Sequence, residues 1–439
     1  MTYESIKSII LTILVGLSLL LTWSLWTYQP NYEELGNGET VQEVSFSPKK
    51  TIKEIVKPEQ IIFHSAGAFY GTLTEDNVDQ MINEISTWNY SGFERISFEA
   101  IDIYSLTDNQ EAVEILFPSP IMMNVYKNVL GVKEKDVPNF QFSQIIIPLN
   151  IDEREHGVVY FVSQEDKTIY RSIVTLTFIA DFKGAYYEAS KAYRKYFPHQ
   201  TASGHRIYLP EEEIELFSYQ HLSAELDSNK FKNALFDDPS LVQKNNTSTG
   251  VEYKDASSLM KVNPSSNLIT YIDPSEVGSK EINTSDMLKR SIDFVNGHGG
   301  WTDSYRFVGM DSELRTVNFR LYGQEGYPIF SENTPAISKI QLVWGNTDIS
   351  RYKRNNFYFD ILTTSSSRTL ESGAAVLEKI ESLDQFNSDL LEDIKIGYSM
   401  EMNAQSLLID LEPCWYYYYN GIWKSLDTKE HGGETHGLE

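Results

Sequence analysis

Residues 8–27, SIILTILVGLSLLLTWSLWT, constrain this chain more than any motif in it. Twenty residues without a charged side chain span about 30 Å as a helix, the hydrocarbon thickness of a bilayer. No second run of this kind occurs downstream. The sequence therefore predicts a single-pass membrane protein, with a transmembrane helix over 8–28 and one large polar ectodomain.

The flanks refine that expectation. A secretory signal peptide has a shorter apolar core and ends in small residues at its cleavage site. Here the run closes on Trp23, Ser24, Leu25, Trp26, Thr27 and Tyr28, whose bulky rings disfavour cleavage. Trp23, Trp26 and Tyr28 suit the membrane–water interface and are the expected interfacial anchors. Lys7 and the terminal amine outweigh Glu4 on one side, whereas Glu33, Glu34, Glu39 and Glu43 precede the first basic residue, Lys49, on the other. The Lys/Arg bias places residues 1–7 in the cytoplasm and the bulk outside the cell membrane. Within the span, Ser8, Thr12 and Gly16 recur at i, i+4 and i+8 and line one helix face. Small residues at that spacing let another transmembrane helix approach closely, so this is the expected interaction face. The plainer reading of the same pattern is the general frequency of Ser, Thr and Gly in such helices.

A net charge of −25 argues against nucleic acid and anionic lipid headgroups as partners. A single cysteine, Cys414, rules out an intramolecular disulfide, which fits export from a bacterium that does not rely on oxidative folding. The 41% hydrophobic content is ordinary, so a packed core is expected rather than wholesale disorder.

The pattern along the chain predicts an α+β ectodomain of antiparallel sheets with helices. Residues 29–45 read as an acidic juxtamembrane stalk, 46–202 as an N-terminal domain, 203–362 as a middle domain, 363–428 as a C-terminal domain and 429–439 as a disordered tail. Strands are expected at 61–64, 95–100 and 143–149, with a hairpin of 157–162 and 168–176 around Gln164-Glu165-Asp166-Lys167. Thr74-Glu75-Asp76 before Val78, Met81, Ile82 and Ile85 predicts a helix capped by Thr74. A second helix is expected over 182–196, stopped by Pro198. Further on, 206–209 and 213–219 read as extended, 230–236 as helix and 243–249 as a polar loop tip. Residues 284–295 read as a helix with Ser285 as cap, followed by strands at 305–308, 315–321, 327–331, 337–343 and 356–361. Residues 368–380 read as a helix, followed by strands at 394–400, 406–411, 415–418 and 421–426. A helix followed by an antiparallel meander, twice, suggests that the last two units are related. Asn420-Gly421 carries hairpin-turn chemistry. The run Trp415-Tyr416-Tyr417-Tyr418-Tyr419 puts aromatics on both strand faces, one for the core and one for a neighbouring domain or a partner.

No G-x-S-x-G, H-E-x-x-H, Walker A or G-x-G-x-x-G motif occurs, which weighs against a wall hydrolase. His298, with Asp303 and Asp311 near it in sequence, lacks metal-ligand spacing and reads as a polar turn. His64 and His205 show no base, orienting acid or nucleophile beside them in sequence. Glu211-Glu212-Glu213 lacks a calcium-loop pattern and reads as a solvated edge. A ligand-binding sensor for wall glycan or peptide is the other alternative. It would show a concave pocket with several exposed aromatics, where protein docking would show a flat surface.

Tyr3-Glu4-Ser5-Ile6-Lys7 and the following ILTILVGLSLLLTWSLWTYQPNYE, running on to Glu34, closely resemble the start of the YycH (WalH) family of Gram-positive bacteria. Trp301-Thr302-Asp303-Ser304-Tyr305-Arg306-Phe307, Phe319-Arg320-Leu321-Tyr322, Gly326-Tyr327-Pro328-Ile329-Phe330 and Leu411-Glu412-Pro413-Cys414-Trp415 are similar to it as well. The resemblance implies a membrane-anchored, extracytoplasmic accessory protein of the essential sensor histidine kinase YycG (WalK). That kinase and its response regulator YycF (WalR) form the two-component system that controls cell-wall metabolism, and a YycI-like companion acts in the same complex. The family offers no catalytic motif. No enzymatic activity, catalytic residue, cofactor or metal is therefore expected, and a homodimer is left open.

Overall fold

The computed structural model describes residues 44–45, 47–98, 102–150, 156–276, 286–403 and 406–426, together with Val15, Gly16 and Ser18. Most of the predicted span, its aromatic anchors, most of the stalk and the tail lie outside the described residues. Among the described residues no helix is long and apolar enough to cross a membrane. The chain divides into two units, Met1–Glu43 and Val44–Glu439, and the second is built from three main sheets.

Alternating apolar residues drive the first sheet, of nine antiparallel strands. Its order is Arg206–Pro210, Arg194–Gln200, Ala68–Thr72, Gln60–Ser65, Ala112–Met122, Gln141–Pro148, Gly157–Ser163, Thr168–Val174 and Ser91–Ile96. Helix Glu75–Ile85 buries Val78, Met81, Ile82 and Ile85, the stripe its spacing announces. A six-stranded sheet runs Ile329–Phe330, Leu391–Asn403, Leu408–Tyr419, Ile214–Glu225, Phe357–Leu370, with Ile422–Ser425 added to Leu408–Tyr419. Its single parallel pairing joins Ile329–Phe330 to Leu391–Asn403. Eight antiparallel strands form the third sheet: Gln243–Thr247, Gly250–Lys254, Leu259–Asn263, Leu268–Ile272, Ile349–Asn355, Lys339–Trp344, Thr316–Leu321 and Tyr305–Asp311. The α+β expectation with antiparallel sheets thus holds.

The chain crosses between sheets more than its linear order suggests. Strand Arg206–Pro210 pairs with Arg194–Gln200, so the hairpin straddles position 202/203. The two helix-plus-meander runs enter different sheets: Tyr305–Asp311 and Thr316–Leu321 join the eight-stranded one, and Leu391–Asn403 and Leu408–Tyr419 the six-stranded one. At the start of the unit, Val44–Ser45 lies parallel to His298–Gly299. Lys50 N donates to Asn296 Oδ1 (2.9 Å) and Asn296 Nδ2 to Lys50 O (2.9 Å), while Trp301 Nε1 also donates to Asn296 Oδ1 (2.8 Å).

Several local expectations need correction. The helix expected at 182–196 begins earlier, at Leu176, passes through a π-turn at Lys183–Tyr187 and ends at Ser190. Pro198 does not stop it; it sits inside strand Arg194–Gln200, opposite Tyr208. Thr74 precedes Glu75–Ile85 but makes no side-chain cap, and its own N–H is held by Thr72 Oγ1 (3.3 Å). The polar stretch 243–249 is not a free loop tip, because Gln243–Thr247 pairs along Gly250–Lys254. Residues 368–370 end a strand rather than begin a helix: Arg368 and Leu370 pair with Leu216 and Ile214, and helix Gly373–Glu381 follows, with Ser372 Oγ accepting from Ala375 N. Ser285 lies outside the described residues, and helix Met287–Gly297 takes Asp286 at its cap position.

Candidate functional site

Two clefts meet at one buried ionic knot. Strand Gln60–Ser65 begins beside Glu59, and strand Leu391–Asn403 presents Asp393 and Lys395 on one face because side chains alternate along it. Lys395 Nζ lies 2.7 and 2.9 Å from the two Glu59 oxygens and 2.8 Å from Asp393 Oδ2. Burial alone would lower the Lys395 pKa, but Asp393 and Glu59 together hold it above its ordinary value. Glu59, Pro118, Pro328, Asp393, Lys395 and Tyr418 line both clefts.

The smaller cleft, about 360 Å³, opens between the nine-stranded sheet and strand Leu391–Asn403, with Leu73, Tyr196, Ile207 and Trp415 among its walls. The larger, about 760 Å³, is walled by the cations Arg320 and Lys339 and by Phe330, Tyr416, Tyr418 and Trp423. Its aromatic wall comes from the Tyr-rich strand and the hairpin turned at Asn420-Gly421, both with positive φ. The Phe330 and Tyr416 rings stack at 4.1 Å, and Tyr418 and Trp423 lie 5.1 Å apart. Both faces of the Tyr-rich strand are covered: Trp415 and Tyr417 join the main core, while Cys414 and Tyr416 pack with Phe330 and Trp423. The cleft is concave, but of its aromatics only Tyr418 and Trp423 are half-exposed, fewer than the several exposed rings expected of a sensor.

The histidines are placed by packing. His64, for which the sequence shows no orienting acid, has one: its Nε2 is 3.0 Å from Glu114 Oε2. Glu114 also accepts from Tyr208 Oη (2.6 Å) and from Gln144 Nε2. Burial pushes the Glu114 carboxyl up, but His64, Tyr208 and Gln144 outweigh it and hold the pKa below the usual glutamate value. His64 and Glu114 are nearly inaccessible, which suits a structural tie across strands. Glu114 comes from a strand that the sequence reading missed; its only signal was one carboxylate within the apolar run 112–117. His205 Nδ1 bonds Gln164 Oε1 (3.1 Å). His298 stacks on Phe294 at 3.9 Å and bonds its carbonyl (2.7 Å).

Asp303 and Asp311 do not join His298. Asp303 Oδ1 accepts from Phe359 N (3.0 Å) and Asp311 Oδ1 from Leu314 N (2.8 Å). Among the described residues no three His, Cys, Asp or Glu side chains converge as metal ligands do. Glu211, Glu212 and Glu213 are exposed. Of the expected membrane residues, Ser8, Thr12, Trp23, Trp26 and Tyr28 lie outside the described residues; Gly16 is helical and exposed.

Comparison with known proteins gives a consistent picture. Residues 4–184 match the family model of the YycH protein N-terminal domain, and residues 204–433 that of the YycH protein C-terminal domain. The "Two-component system WalR/WalK regulatory protein YycH" of Bacillus subtilis (strain 168) is 25% identical over 459 aligned positions, covering 100% of both chains. The crystal structure of YycH from Bacillus subtilis shares the fold with a TM-score of 0.72 at 22% identity, over 86% of this chain and 98% of that one.

Proposed function

Because the chain belongs to the YycH family, we propose that it is a membrane-anchored, extracytoplasmic regulator of a WalR/WalK-type two-component system. It binds the sensor kinase, acts with a YycI-like companion and modulates kinase output, and thereby cell-wall metabolism. The observation that carries this reading is end-to-end likeness to a protein named as a regulator of that system, with both family domains present in order.

The physical form suits the role. A helix at 8–28 places the chain in the same membrane as the kinase, with Trp23, Trp26 and Tyr28 holding its depth. The Ser8/Thr12/Gly16 face lets a kinase helix approach closely. The ectodomain biases that contact only through unequal affinity for two packing states of the kinase. Lys50, tied by Asn296 to the end of helix Met287–Gly297, and Val44–Ser45, paired with His298–Gly299, support such coupling rather than a slack leash.

The test is photocrosslinking in native membranes with a reactive residue at position 12 or 16, alongside Gly16→Ile. Adducts with the kinase or the companion, and a Gly16→Ile variant that loses co-purification and alters kinase output, are expected. Unchanged output and co-purification would remove this face from the mechanism.

A further inference from the structure

Register in the eight-stranded sheet places Arg320 directly opposite Lys339, Asn318 opposite Gln341, and Gln341 opposite Lys353. Directly paired residues share a face, so these five side chains form one polar strip. The opposite face, with Val317, Phe319, Ile340, Leu342 and Tyr352, is buried core. Among the described residues Arg320, Lys339 and Lys353 have no carboxylate within ion-pair distance. Several other buried cations are matched, Lys57 by Glu75 and Asp79, Arg306 by Glu75 and Lys395 by Glu59 and Asp393, while the buried Arg354 is held by Gly300 O and Thr302 Oγ1 instead. Of the three, Arg320 and Lys339 line the larger cleft, where the carboxylates present are Glu59 and Asp393, both bound to Lys395, and the exposed Glu332.

Arg320 is almost wholly buried, with Nη1 donating to Ile329 O (3.1 Å) and its guanidinium 4.1 Å from the Phe330 ring centroid. Burial pushes Arg320 down to about 10. Burial, with the neighbouring Arg320 charge, pushes Lys339 down to about 8. Uncompensated charges at a cleft wall are costly, and an anion arriving there offsets that cost. The same cleft is lined by the half-exposed Tyr418 and Trp423, rings with an apolar face and a polar edge, with Lys395 Nζ 4.9 Å from the Trp423 ring centroid. Asn318, Ser331 and Ser338 add hydrogen-bonding groups to the lining. A volume of about 760 Å³ lies within the range of small-ligand sites. A hydrocarbon chain would leave these polar groups unpaired; a hydroxylated ring suits both the polar groups and the aromatic rings of the lining.

We propose that this cleft binds an anionic saccharide, its carboxylate or phosphate held by Arg320 and Lys339 and its ring laid on Trp423 and Tyr418. The site stands on its own residues and does not depend on kinase regulation. The assay below contains no kinase, so the two proposals fail separately.

Calorimetric titration of the full 439-residue chain in detergent with four probes tests it. These are N-acetylmuramic acid, N-acetylglucosamine 1-phosphate, neutral N-acetylglucosamine and inorganic phosphate. At least one charged sugar is expected to bind about tenfold more tightly than either the neutral sugar or free phosphate. The carboxylate and phosphate arms tell which anion is preferred. Lys339→Gln, on a half-exposed side chain, should weaken the charged sugar about tenfold and leave the neutral one unchanged. Trp423→Ala should weaken the charged and neutral sugars alike. Arg320→Gln serves as a second cation variant only where its melting curve matches the parent's. A neutral sugar or free phosphate binding as tightly as the charged sugars overturns the proposal. So does indifference to Lys339→Gln, or failure of every probe to bind.

Discussion

Asp303 lies five residues from His298 in the sequence, yet its carboxylate serves the backbone of strand Phe357–Leu370 through Phe359 N, and the Thr302 hydroxyl. Burial raises its pKa from 3.8 to about 6, against the opposing pull of those hydrogen bonds and of Arg354 and Lys50. The folded state therefore binds more protons than the unfolded chain between these two values. Stability falls as pH rises through that window and levels off above it. Asp303→Asn should flatten this slope and stabilise the protein at pH 7 by about 1–2 kcal/mol, with little change below the window. Thermal unfolding of both forms across pH 3–8 checks it, and parallel profiles would contradict it. Arg354 shows the same priority of structure: it is fully buried, with Nη1 donating to Gly300 O (2.9 Å) and Nη2 to Thr302 Oγ1 (3.0 Å). The loop that reads as a polar turn in sequence is thus held by a buried cation and a buried carboxylate acting as struts.

Among the elements, strand Leu408–Tyr419 is the most instructive, because Pro413 sits in its interior. Its partner Tyr398 turns its own N–H to Pro328 O (2.8 Å), so this pair exchanges no ladder hydrogen bond. The donor that proline lacks falls on the other side, between residues 408–411, covered by Ile214–Glu225, and residues 416–419, covered by Ile422–Ser425. The sequence predicts two strands, at 406–411 and 415–418, where one runs, and a proline ordinarily argues against a central strand. Helix Gly373–Glu381 begins where strand Phe357–Leu370 stops, and Ser372 makes that switch. Gly373 allows it sterically, since a Cβ there would lie 2.5 Å from Leu209 Cβ. Ser372→Ala should cost about 1 kcal/mol in urea unfolding, and Ser372→Asp should recover it. Equal stability of all three forms would show that packing alone fixes this helix start.

At the scale of the whole molecule, Lys395 ties strand Leu391–Asn403 of the six-stranded sheet to Glu59 at the entry of the nine-stranded one. Lys395→Gln leaves Glu59 and Asp393 side by side without their cation, a loss of about 3 kcal/mol. Hydrogen exchange should accelerate in Gln60–Ser65 and Leu391–Asn403, while Ser91–Ile96 at the far edge of the nine-stranded sheet keeps its protection. Uniform acceleration would mean that the knot supports global stability rather than this joint. Much of the fold was legible beforehand. Val78, Met81, Ile82 and Ile85 announce their helix, the 157–174 hairpin shows its alternation, and Asn420-Gly421 its turn, because local periodicity and backbone preference act within a few residues. The candidate site was legible only in fragments. The Tyr-rich strand stood out, but Arg320, Lys339, Glu59 and Lys395 are ordinary charges in a sequence full of them. What the sequence by itself determined is an α+β composition, a long apolar segment near the N-terminus and an acidic surface, all set by composition and short-range pattern. Only the tertiary structure decided which strands share a sheet, which cations go without a carboxylate and where a cleft opens, because pairing across more than 300 residues depends on the packing of surfaces that no local pattern encodes.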